Sequence, residues 1–187
     1  TKTDSVSFGS SLYSFDGTTT ITSETGSNIN VAVTAEFETA GDTLTFATGT
    51  IDLDDDANLT VNSDGGAITI AGVAGDSAET VTINANDVAG TGVTTETVRL
   101  GDVGDSGHAQ IHNVTVTGDG GITLTGAIYT ASAGDGSGAD VVFNDAVIID
   151  GDVIVDTDDS ADDGLITFTT SINAVSYTHL RAHETHE

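Results

Sequence analysis

The chain has 187 residues with 30 acidic against 3 basic side chains, a formal charge of −27, 23 Gly and no Pro, Cys, Met or Trp. That charge excludes nucleic acid and anionic lipid surfaces as partners, because both need Lys and Arg to neutralise phosphates. No run reaches the roughly 18 apolar residues of a membrane span, and the Val, Ile and Thr content punctuated by Gly, Asp, Asn and Ser predicts an all-β protein rather than a disordered acidic tail.

In chain order, the first predicted strand is "VSF" (6–8), followed by the strand–turn–strand stretch "TTITSETGSNINV" (19–31). The pattern returns as "LTF" (44–46) with "LTVNSDGGAITI" (59–70), as "VRL" (98–100) with "VTVTGDGGITL" (114–124), and as "VVF" (141–143) with "VIVDTDDSADDGLITF" (153–168). The apolar positions align as Thr19/Ile21, Leu59/Val61, Val114/Val116 and Val153/Val155, then as Ile29/Val31, Ile68/Ile70, Ile122/Leu124 and Ile166/Phe168. Unit starts at 6, 44, 98 and 141 leave the second unit longer, with an extra strand "VTINA" (81–85).

Strands of three or four residues cannot hold a sheet alone, and stacking repeated rungs solves this by piling inward apolar side chains into one core. The expected fold is therefore a parallel β-solenoid of about four two-rung units, roughly 40 Å long at about 4.8 Å per rung. In it, 59–61, 114–116 and 153–155 would be neighbouring parallel strands. A β-sandwich is the alternative that also uses many short strands. Asn58, Asn113 and Asp152 precede strands at one aligned position and predict a turn ladder that satisfies backbone groups.

Two acidic turns carry the candidate chemistry. Asp52, Asp54 and Asp56 fall in "DLDDDAN" (52–58), and Asp156, Asp158 and Asp162 in "DTDDSADDG" (156–164). Clustered carboxylates are hard oxygen ligands, so these turns are candidate calcium sites, with a solvated acidic surface as the first reading of them. The stretch "GDGSGADVVF" (134–143) is similar to one calcium-binding nonapeptide of toxin-type β-rolls, with Asp135 in place of its first Gly. Catalysis has little to work with: outside the final stretch the basic and imidazole groups are Lys2, Arg99, His108 and His112. The enzyme alternative is a polysaccharide-active β-helix using a carboxylate pair. Outward Thr-x-Thr pairs at Thr20/Thr22, Thr115/Thr117, Thr123/Thr125 and Thr167/Thr169 raise ice binding as another alternative.

Residues 6–174, above all "GGITLTGAIYTASAGDGSGADVVFNDAVIIDGDVIVDTDDSADDGLITFTTSINA" (120–174), resemble the repeat regions of filamentous-haemagglutinin-like bacterial surface exoproteins. The resemblance implies a structural or adhesive segment of a large secreted or cell-surface protein. Such a segment has no active site, lies outside the cell, meets glycan or protein on a host or neighbouring cell, and stacks end to end with further repeats.

The closing "YTHLRAHETHE" (177–187) breaks the composition. His179, His183 and His186 have the spacing of a helical zinc site. However, "VSYTHLRAHET" (175–185) resembles one translated frame of a transposase-type sequencing adapter. The expected organisation is a solenoid segment over 1–174, part of a longer array, and a non-native tail over 175–187 that contributes no site and no stability.

Overall fold

A computed structural model describes residues 5–75, 78–87, 96–105, 111–131, 139–157 and 164–174. The tail 175–187, with its histidines, lies outside the described residues. In chain order the first turn of the chain holds β1 (Val6–Phe8), β2 (Leu12–Phe15) and β3 (Thr19–Thr22). The second holds β4 (Ile29–Val31), β5 (Ala35–Thr39) and β6 (Leu44–Thr48). Next come β7 (Ile51–Leu53), β8 (Leu59–Asn62), β9 (Ile68–Ala74), β10 (Thr80–Asn84) and β11 (Val98–Val103). The series closes with β12 (Asn113–Thr117), β13 (Ile122–Leu124), β14 (Ile128–Tyr129), β15 (Val141–Phe143), β16 (Val147–Ile149), β17 (Val155–Asp156), β18 (Ile166–Phe168) and β19 (Ile172–Ala174).

These strands stack into a parallel β-solenoid with three strands per turn, seven layers deep. The second face is a 7-stranded sheet, β2-β5-β8-β10-β12-β15-β18. The first and third faces merge into one 12-stranded sheet because β9 and β11 run continuously around the corner between them. Every strand pair among the described residues is parallel, which excludes the β-sandwich.

Side chains on a strand alternate between faces, so in-register stacking turns each inward position into a column. On the second face the column runs Tyr13, Phe37, Val61, Ile83, Val116, Phe143, Phe168. On the third it runs Thr19, Leu44, Ile68, Val98, Ile122, Val147, Ile172. All three faces feed one core cluster in which Phe37, Phe46, Ile83, Leu100 and Phe143 are fully enclosed.

Corners are held by close approach and by hydroxyls. A Cβ at Gly101 would overlap the carbonyl oxygen of Ala71, so only glycine lets β11 bend against β9 there. Thr39 Oγ1 donates to Asp42 O at 2.6 Å, Thr157 Oγ1 to Gly164 O at 2.9 Å and Thr130 Oγ1 to Ala139 O at 2.8 Å, which satisfies turn carbonyls that the sheets leave unpaired.

The expected turn ladder is present for two of its three members. Asn58 Oδ1 accepts from Thr80 N at 2.7 Å, and Asn113 Oδ1 accepts from Asp140 N at 2.8 Å. Asp140 extends the ladder, its Oδ1 accepting from Leu165 N at 2.8 Å. Asp152 follows β16 at a different corner.

The repeat register differs from the expected one. A turn consumes 22 residues between Ile29 and Ile51 but 33 between Thr80 and Asn113, and each turn has three strands. Seven layers replace the expected eight rungs, a rise of about 29 Å from first to last at about 4.8 Å each. Residues 59–61 and 114–116 share the second face, but 81–83 lies between them, and Val155 belongs to the first face, paired under Ile128. "VTINA" is thus an ordinary rung. The aligned strands 6–8, 44–46, 98–100 and 141–143 are distributed over all three faces. The cause is physical: every face demands the same apolar–polar–apolar triplet, so sequence similarity does not say which face a strand occupies.

Core position and layer should therefore set the effect of truncation. Ile83→Ala, in the middle of the stack, should lower the unfolding free energy by about 2–5 kcal/mol. Ile172→Ala, at a position already 39% exposed, should lower it by less than about 1 kcal/mol. Urea denaturation of the two variants checks this, and equal losses would contradict the layer assignment.

Candidate functional site

Among the expected calcium ligands, Asp52 faces outward on β7, in register with Asn30 and Ala74, and its Oδ2 accepts from Asn28 Nδ2 at 2.9 Å. Asp54 and Asp56 sit in the following turn. There Ala57 N donates to Asp54 O at 2.8 Å, and Asp56 takes a left-handed φ of 63°. That turn is tied to the next layer by Glu79, whose Oε1 accepts from Asp56 N at 3.3 Å. Asp156 lies on β17 beside Tyr129 of the layer before. Asp158 and Asp162 lie outside the described residues, as do residues 134–138 of the nonapeptide-like stretch. Among the described residues no three His, Asp or Glu side chains converge where they could hold a metal ion.

The two described groups of basic or imidazole type, Arg99 and His112, have structural partners. Arg99 points outward from β11, and its guanidinium reaches Asp150 Oδ2 at 3.1 Å, with both side chains about half exposed. His112 is buried, with Nδ1 3.2 Å from the carbonyl oxygen of Ala131. His108 and Lys2 lie outside the described residues.

Two features went unseen in the sequence. The first is a shallow groove of about 450 Å³ along the corner between the third and first faces. Its floor is made of small residues from successive layers, Gly72, Ala74, Gly104 and Ala127, with Thr50, Asp102, Asp105 and Tyr129 around it. Asp102 is partly committed, its Oδ1 accepting from Ala127 N at 2.8 Å. No local signal announces the groove, because four separate turns build it.

The second is a pair of buried glutamates. Glu79 is fully buried and accepts backbone N–H groups from Asp56 and from Ala78, the latter at 3.1 Å. Glu96, only 2% exposed, has no hydrogen-bond partner on either carboxyl oxygen among the described residues.

The outward surfaces are distributed by chemistry. On the second face, Thr60, Thr82, Thr115, Val142 and Thr167 form one column. On the third, Thr20, Thr45, Thr69, Arg99, Thr123, Ile148 and Asn173 form another. The Thr-x-Thr pairs noted in the sequence are thus split between two faces. Acidic side chains crowd the turns instead.

Fold and surface together define a parallel β-solenoid repeat protein whose described surface is acidic turns, threonine columns and one corner groove. No protein-family model, no curated protein and no solved structure matches this chain.

A buried polar group without a partner is a local liability. Glu96→Leu should therefore raise the unfolding free energy by about 1–3 kcal/mol, whereas Glu79→Leu should lower it, because two backbone donors lose their acceptor. Thermal melts of the two variants check the sign, and a destabilised Glu96→Leu would contradict the assignment.

Proposed function

We propose that this chain is a structural or adhesive segment of a large secreted or cell-surface protein, similar to the repeat regions of filamentous-haemagglutinin-like exoproteins, and that it performs no catalysis. One observation carries this reading. The inward columns run through all seven layers without a break on any face, and Ile166, Phe168 and Ile172, which continue the core columns in the last layer, remain partly or fully exposed. A fold of this kind gains length by adding rungs, each contacting only its neighbours. Its function then lies in extent and surface.

The charge supports an extracellular setting rich in salt and divalent cations. Stacking brings acidic turns of successive layers about 4.8 Å apart, where like charges oppose the folded rod unless ions screen or bridge them. Calcium, at the Asp52–Asp56 turn or the Asp156–Asp162 turn, is part of the proposal.

The polysaccharide-enzyme alternative would have to use the corner groove. Of its two carboxylates, Asp102 already receives a backbone N–H. Ice binding has the second-face threonine column in its favour, interrupted by Val142 and flanked by Glu36 in the second layer.

Thermal melts in sodium chloride and in calcium chloride at matched ionic strength test the cation part. Both should raise Tm, with the calcium curve higher; coincident curves remove calcium from the proposal. Incubation with a panel of polysaccharides should release no product, and turnover of any of them would overturn the structural reading.

A further inference from the structure

The corner groove is a gap in the side-chain cover of two neighbouring columns. Where the third face turns into the first, Thr50, Gly72, Asp102 and Ala127 stand in successive layers, and beside them Asp52, Ala74, Gly104 and Tyr129. The small residues leave the floor bare, with Thr50 at one end, Tyr129 at the other and Asp102 between them. Four layers at about 4.8 Å give it a length of about 14 Å, which matches about four residues of extended chain.

Chain packing does not require all of this space. A Cβ at Gly101 would overlap a backbone oxygen, and Gly104 takes a left-handed φ of 66°. Gly72 has neither constraint: an added Cβ there would meet Asp102 O at 3.3 Å and Thr50 Oγ1 at 3.7 Å. The floor stays bare at a position where a methyl group comes close to fitting.

Charge decides what the gap suits. Asp102 projects outward between Gly72 and Ala127, neither of which can screen its carboxylate. Its Oδ1 accepts from Ala127 N at 2.8 Å, and no described residue bonds its Oδ2. Arg99, three residues earlier on the same strand, is engaged with Asp150 instead, at 3.1 Å. Asp105 adds a second carboxylate to the wall. On a chain of formal charge −27, a cationic group is drawn towards such a groove and an anionic one is repelled. Tyr129 supplies an aromatic ring two residues and one strand away from Asp102, about 8 Å between backbones. A planar guanidinium stacks on a ring and donates to a carboxylate at once, which a compact ammonium does less well.

We infer that the groove binds an arginine side chain carried on an extended segment of a protein partner. The guanidinium donates to Asp102 Oδ2 and lies against the Tyr129 ring, and the flanking backbone of the segment covers the bare floor. The inference goes beyond the structural reading and fails separately from it: an empty groove leaves a segment of the same fold and extent.

Amide chemical-shift mapping of the isotope-labelled full chain tests it. The probe is the acetylated and amidated peptide Gly-Ser-Arg-Ser-Gly, in about 0.15 M sodium chloride, where the Debye length is about 8 Å. The expected result is saturable shifts centred on Gly72, Ala74, Gly104, Ala127 and Tyr129. The citrulline analogue, of the same shape without the charge, should bind at least about tenfold more weakly. Asp102→Asn retains an acceptor for Ala127 N and loses only the charge, and it should weaken the arginine peptide by about tenfold. Asp119→Asn removes the same charge from an exposed turn between the second and third faces, and it should change the affinity by less than about twofold. The comparison of arginine with citrulline needs no variant, so it holds even where a substitution impairs folding. Shifts spread over the acidic turns, weakened alike by Asp102→Asn and Asp119→Asn, are non-specific ion pairing and overturn the inference. So do arginine and citrulline peptides that bind equally, or an arginine peptide that gives no saturable shift. Cellobiose that shifts the groove amides when the arginine peptide does not overturns it in favour of a sugar site.

Discussion

Hydrogen bonding in this protein runs along the long axis, from each turn of the chain to the next, and that single constraint organises the rest. A strand of three residues such as Ile122–Leu124 has no stability of its own. Held between Val98–Leu100 on one side and Val147–Ile149 on the other, it has backbone partners along both edges. Parallel pairing in register then fixes what each position can be. Every inward residue sits directly between two others of its column, so a column is apolar throughout or it carries a buried polar defect. Corners must close the turn within the same rise, which is why Gly101 approaches the Ala71 carbonyl so closely and why Thr39, Thr130 and Thr157 donate to turn carbonyls.

The same stacking that builds the core concentrates charge outside it. Carboxylates excluded from the columns collect at turns such as Asp54–Asp56, and on outward strand positions such as Asp52 and Asp102. The structure relieves this in part with hydrogen bonds between layers: Asn28 to Asp52, Ala127 N to Asp102, Leu165 N to Asp140, and the Arg99–Asp150 pair that reaches across two layers. Exposed ion pairs contribute little, roughly 0–1 kcal/mol, so the half-exposed Arg99–Asp150 pair offsets only a small part of the repulsion. Axial pairing and outward charge are thus consequences of one geometry.

Sequence periodicity made the fold class legible. Triplets such as "VSF", "LTF" and "VVF" separated by Gly- and Asp-rich turns leave few ways to bury their apolar positions. Register was not legible from the same residues. Val6, Leu44, Val98 and Val141 begin similar triplets, yet they occupy three different faces, because the core makes the same demand from each side. Turn lengths that vary between 22 and 33 residues remove the fixed period that would have separated the faces. The acidic turns were visible as composition, but the role of Glu79 in anchoring the Asp56 turn was not, since the two are 23 residues apart in sequence. Glu96 and the corner groove were invisible for the same reason: both are made by neighbours along the axis rather than along the chain.

Cross-linking reads that axial neighbourhood directly, and a chain without cysteine is suited to it. Thr82 and Thr115 face outward in register on adjacent strands, while Thr60 and Thr115 are separated by the strand that carries Thr82. A disulfide needs Cα atoms about 4.4–6.8 Å apart, and adjacent strands lie about 4.8 Å apart. Oxidation of a Thr82→Cys/Thr115→Cys variant should therefore give an intramolecular disulfide in high yield, and a Thr60→Cys/Thr115→Cys variant should give none. A Thr60–Thr115 cross-link that forms as readily as the Thr82–Thr115 one would contradict the layer order on which the whole account stands.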